Sequence, residues 1–158
     1  MNQGTPLRAL PEGRGIRIAI VASRFHEAIV ERLLEGAVRI LRQTGVAEDD
    51  LAVERVPGAW EIPQGLELLA RRGGWDAMVA LGALVRGETL HFQLIAEECA
   101  RGVADASRRH GVPISFGVLT CETMEQAWAR AGGAAGHQGE EAAIAALEMA
   151  VLDRKLGT

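Results

Sequence analysis

The sequence predicts an α/β fold, a parallel sheet covered on both faces by helices, and three observations carry that prediction. Short apolar runs rich in β-branched residues alternate with longer segments of helical periodicity, in the order β, α, β, α, β, α, β, α, α. The third run, Asp76 to Leu84, is apolar on both of its alternating faces, as a strand between two helical layers must be. The segments between runs are long enough for right-handed crossovers.

The elements follow in order. Residues 1–14, with Pro6, Pro11 and several glycines, are expected to form an arm, and residues 15–158 a single domain. Ile16 to Val21 reads as a central strand, and Ser23 to His26 as the turn after it. From His26 to about Gln43, Ile29, Leu33, Ala37 and Ile40 recur at helical spacing, and Gly45 closes that helix. Leu51 to Val56 is a second strand. Pro57 and Gly58 turn the chain, and Pro63 opens a helix whose buried side carries Leu66, Leu69 and Ala70, ending at Gly73-Gly74.

After the third strand, the pattern predicts a helix from Glu88 to about Arg109, with Phe92, Ile95, Cys99, Val103 and Ala106 on one side. Gly111 to Pro113 breaks it, and Ile114 to Leu119 is a fourth strand. Thr123-x-x-Gln126 is a capping-box pattern opening a helix that carries Met124, Ala127, Trp128 and Ala131. The glycine-rich connector AGGAAGHQG leads to a last helix from Glu140 to about Lys155, packed through Ala143, Leu147, Ala150 and Val151.

Composition narrows the function classes. The 158 residues suit one domain with a real core, and a net charge of -4 spread over both signs argues against a nucleic-acid partner. No apolar run approaches a membrane span and no signal pattern opens the chain, so a cytoplasmic protein without membrane partners is expected. Cys99 and Cys121 fit buried thiols, and the four histidines lack metal-binding spacing, so no metal is expected.

Ligands of open α/β sheets bind outside the carboxyl ends of the strands, and the unusual residues of this chain gather in those turns. The stretch Ala80 to Glu98 crosses from strand to helix with Glu88, Thr89 and His91 near the helix start, which suits either a phosphate seat beside a base or an ordinary turn whose histidine merely packs. Phe25 and Trp60 suit either an aromatic platform for a flat heterocycle or plain packing. Glu61 suits either a hydroxyl acceptor or a favourable first-turn acid, and Arg130 either a phosphate ligand or a dipole complement. The turn GALVRGE matches neither a Walker A loop nor G-x-G-x-x-G.

The segments IVASRFH, VPGAWEIP, ALGALVRGETLHF, PISFGVLT, EQAWARAG and GEEAAIAALEM, in that order between Ile16 and Leu156, together resemble the 6,7-dimethyl-8-ribityllumazine synthases of riboflavin biosynthesis. The resemblance implies a flavodoxin-like three-layer α/β/α sandwich with a four-stranded parallel sheet. It also implies condensation of 5-amino-6-(D-ribitylamino)uracil with 3,4-dihydroxy-2-butanone 4-phosphate, releasing water and phosphate without cofactor. By motif position, Phe25, Ala59, Trp60, Glu61, Leu84 and Val85 would hold the heterocycle and ribityl chain. Phe116 would join them from a neighbouring subunit, and Gln138 stands at a further heterocycle contact. Glu88, Thr89 and Arg130 would meet the phosphate, Arg130 also from the neighbour, and His91 would move protons.

The family further implies a homopentamer with sites between adjacent subunits, and the insertion-free connector is compatible with a sixty-subunit shell. The chain departs from the family pattern at Gln138, where Lys is usual, at His137 and His26, where Asn is frequent, and at Trp60, where Phe is usual. Those departures leave a second expectation open, a lumazine- or flavin-binding or shell-forming homologue with little catalysis.

Overall fold

A computed structural model describes residues 9–157. Four parallel strands, β1 (Ile18–Ser23), β2 (Leu51–Val56), β3 (Ala77–Val85) and β4 (Ile114–Cys121), form one sheet in the order β2-β1-β3-β4. The predicted α/β fold with a four-stranded parallel sheet is what the chain adopts. Register is in step across the middle of the sheet: Ile18 lies opposite both Leu51 and Ala77, and Met78 opposite Ile114.

The two central strands show why their sequences are apolar throughout. Ile18, Ile20 and Ala22 of β1 and Val79, Leu81 and Ala83 of β3 point into one core. Ala19 and Val21, with Met78, Ala80 and Leu84, point into the other. Helices α1 (Glu27–Gln43) and α5 (Gln138–Leu156) close the first core through Ile29, Leu33, Ala37, Ala143 and Leu147. Helices α2 (Ile62–Arg72) and α3 (His91–His110) close the second through Ile62, Leu66, Cys99, Val103 and Ala106. These are the three layers of a flavodoxin-like sandwich.

Several boundaries differ from the sequence reading. Helix α3 begins at His91, so Glu88 and Thr89 lie in the preceding loop and outside the helical first turn. The Thr89 hydroxyl accepts the His91 N–H at 3.4 Å, a local bond that competes with helix propagation. The helix α4 (Met124–Ala129) is only six residues long. Its capping box is present, with the Gln126 N–H donated to Thr123 Oγ1 at 3.2 Å.

Ala131 leaves that helix for a short antiparallel ribbon within the glycine-rich connector, β5 (Ala131–Gly133) and β6 (Gly136–His137). Gly132 and Gly136, both at φ 100°, supply the left-handed backbone its turn needs. Helix α5 therefore starts at Gln138, two residues before the predicted Glu140. Met124, Trp128 and Val151, expected on packed faces, are 38–41% exposed. The first two sit on a helix too short to cover both. Residues 1–8 of the expected arm lie outside the described residues, and the part that follows is tied down where Gly13 N–H donates to Thr44 O at 2.8 Å.

Below the sheet, Glu67 of α2 clamps the end of α3. It accepts from Arg109 Nη1 at 2.6 Å and meets His110 Nε2 at 2.5 Å. The hydrogen bond from His110, with Arg109 adding its charge, holds the Glu67 carboxyl below the usual carboxylate range against the opposing effect of burial. A lowered native pKa stabilises the fold above the unfolded value of about 4.3, and that contribution fades as pH falls through the native one. Glu67→Gln is thus expected to lower Tm at neutral pH. In melts taken from pH 7 downward, the gap from wild type should close below about pH 4.3; a pH-independent gap would mean the carboxylate's charge is immaterial.

Candidate active site

The connection after β1 runs into α1 on one face of the sheet, and that after β3 runs into α3 on the other. Between these adjacent strands the winding reverses, and the crevice at their carboxyl ends is where such sheets bind ligands. A cavity of about 1020 Å³ opens there. It is lined by the exits of β1 (Phe25, His26), β2 (Pro57 to Glu61) and β3 (Ala83 to Val85), with Gly87, Thr89 and the first turns of α3 closing its far side.

Eight of the residues singled out in the sequence share this cavity: Phe25, Ala59, Trp60, Glu61, Leu84, Val85, Thr89 and His91. Leu84 and Ala59 form the buried floor. Phe25 and Trp60 stand at the mouth, 65% and 58% exposed, so both offer ring surface to an incoming molecule in place of joining the core. Glu61 does what a first-turn acid does, its Oε2 accepting the Gly58 N–H at 3.0 Å, and still lines the cavity. The two readings of Glu61 are compatible.

Glu88, Phe116, Arg130 and Gln138 do not line the cavity of this single chain. Phe116 lies opposite Ala80 in the β4 register, on the other edge of the sheet from β2. Arg130 caps the end of α4, and its carbonyl accepts the Gln138 N–H at 2.8 Å, so these two residues are fixed to each other. His137 caps α5, its Nδ1 accepting the Glu140 N–H at 3.2 Å.

Sequence reasoning missed the helix face that completes the wall. Leu94, Ile95 and Glu98 line the cavity with His91, at the three-, four- and seven-residue spacing that one face of a helix dictates. The spacing was legible once His91 was placed in the site. Phe92 also lines it, and Arg86 lies over its ring at 5.2 Å while pairing with Glu122 at 2.6 Å. Cys99 is buried beneath, which pushes its thiol up to about 11 and leaves it protonated near neutrality. Among the described residues no cluster of three or more His, Cys, Asp or Glu is placed to hold a metal ion, and no helix is long and apolar enough to cross a membrane.

The sequence that builds this cavity is similar to known sequences along most of its length. Residues 15–154 match the family model described as 6,7-dimethyl-8-ribityllumazine synthase. A protein of that name from Halorhodospira halophila is 52% identical over 140 residues, covering 89% of this chain and 90% of the relative. One from Gemmatimonas aurantiaca is 50% identical over 147 residues, covering 92% and 90%. Another, from Chlorobium phaeovibrioides, is 49% identical over 140 residues, covering 89% and 90%. With identity near one half over about nine-tenths of its length, this chain belongs to the 6,7-dimethyl-8-ribityllumazine synthase family.

Proposed function

We propose that this chain is a transferase that condenses 5-amino-6-(D-ribitylamino)uracil with 3,4-dihydroxy-2-butanone 4-phosphate to 6,7-dimethyl-8-ribityllumazine, as a step of riboflavin biosynthesis. The observation that carries the reading is the cavity at the β1–β3 reversal, which sets aromatic rings at its mouth and His91 with Thr89 at its far side. Purified protein incubated with both substrates should produce the fluorescent lumazine. Binding of either substrate without that product would sink the proposal.

The residues divide the work by position. Phe25 stacks on the uracil while Ala59, Trp60 and Glu61 hold the heterocycle and ribityl chain, with Leu84 and Val85 as the apolar wall. Thr89, on the cavity wall, receives the phosphate end, and Glu88 beside it, outside the lining, serves through its loop backbone N–H. The uracil's amine attacks the ketone, and loss of water gives an imine. Phosphate then leaves by elimination, the enol becomes a ketone, and the ribityl-bearing nitrogen closes on it with loss of a second water. Each step moves a proton, and His91 is placed to carry it. Holding two reactants in register contributes alongside.

Phe116, Arg130 and Gln138 complete the site from a neighbouring copy. Their position outside the cavity of their own chain, and the bond locking Gln138 to Arg130, support that assignment. The reading takes the assembly to be a homopentamer of cytoplasmic subunits, as the family resemblance implies, and the mass in solution distinguishes it from a sixty-subunit shell. Arg130→Ala should raise KM for the phosphate substrate about 10- to 100-fold, the worth of a charge-assisted hydrogen bond. The KM for the uracil should move little, and an unaltered KM for the phosphate would remove Arg130 from the site.

A further inference from the structure

His26 is the one non-glycine residue with positive φ among the described residues, at φ 56° and ψ 49°. The left-handed region crowds Cβ against the following carbonyl, and although histidine enters it more readily than most residues, the conformation is costly and is held by what surrounds it. His26 also occupies the N-cap of α1, where a short polar side chain accepts a backbone N–H, yet its side chain makes no such bond. Helix capping does not account for a histidine here.

The ring instead lines the cavity and meets the Phe25 ring edge-to-face, with centroids 4.6 Å apart and planes at 64°. Phe25 is mostly exposed, and among the described residues His26 is the aromatic neighbour its ring has. Strain held at a ligand cavity argues for a role in that cavity. We propose that His26 is a positioning residue: its strained turn presses the imidazole against Phe25 and fixes the plane on which the flat uracil stacks. Burial lowers the pKa of His26, which favours the uncharged ring beside this apolar partner.

The inference rests on the condensation reading, and its test is separable from it. Affinity for the uracil substrate alone is measured by quenching of tryptophan fluorescence, which needs no turnover; failure of the condensation reading is seen in wild type as absence of lumazine. His26→Gly relieves the strain and removes the ring. It should weaken uracil binding about two- to tenfold, the worth of an aromatic pair, while Tm stays level or rises. His26→Phe, which keeps an aromatic edge, should restore most of the affinity. In a Phe25→Ala background, His26→Gly should add nothing further.

Unchanged affinity in His26→Gly would overturn the proposal, as would a loss that persists undiminished in the Phe25→Ala background. A fall in Tm that accounts for the lost binding would also overturn it, since His26 would then be structural.

Discussion

Gly139→Ala should destabilise the chain by about 3 kcal/mol, the upper end of what overpacking costs, and lower Tm by about 6 to 12 °C. A Cβ at this position would stand 2.0 Å from the carbonyl oxygen of Leu33 and 2.7 Å from its carbon. Both are backbone atoms of α1 and cannot rotate aside. Helices α1 and α5 would have to separate, unpacking Leu33 and Ala37 from Ala143 and Leu147 in the larger core. Gly36→Ala tests the argument from the other side of the crossing. There a Cβ would meet the His137 ring at 2.1 Å, and a side chain can swing away, so the loss in denaturant midpoint should be smaller. Equal losses would mean that backbone contact is not what makes Gly139 special. The crossing also bears on function, because Gly139 follows Gln138, whose N–H is bonded to Arg130. Spreading the helices displaces both residues proposed to serve the neighbouring site.

How much of this was legible depended on whether side-chain period or backbone contact decided it. The strands β1 and β3 were plain, because residues buried on two faces must be apolar at every position, and few other structures demand that. The α1 and α3 faces were plain for the same kind of reason at a period of 3.6. The start of α3 was not, since the Thr89 hydroxyl bonding back to His91 N–H is a choice between two local bonds that composition does not rank. The ribbon β5–β6 was missed because glycine carries no period, and a two-strand turn there shows only in the φ of Gly132 and Gly136.

The site divides along the same line. Phe25, Trp60, Thr89 and His91 fell together because strand ends of one sheet must share a rim. The strain at His26 had no signature, since its φ is imposed by the packing of the turn. Beyond the family resemblance, Phe116 and Arg130 carried no sign of the neighbouring site proposed for them, because one chain's sequence pattern describes how it folds on itself.

His91→Ala should lower turnover about 10²-fold, the lower bound of what a positioned acid–base group supplies, and change Tm little. The small effect on stability follows from how His91 is held. It is exposed, and its bond to Thr89 uses the backbone N–H, which alanine keeps. The large effect on rate follows from what else lines the cavity. Glu61 shares its carboxylate with Gly58 N–H, and Glu98 is paired with Arg101 at 2.9 Å, so each has a partner already. Leu84, Val85, Leu94 and Ile95 carry no exchangeable side-chain proton, and the second imidazole of the cavity, His26, is set edge-to-face against Phe25. An imidazole exchanges protons near neutrality and both donates and accepts, as successive dehydration, elimination and tautomerisation require. His91→Gln separates hydrogen bonding from proton transfer: it should keep substrate affinity at the wild-type level without restoring turnover. Turnover in His91→Ala equal to wild type would leave His91 as a wall residue and place the proton transfers on bound phosphate or water.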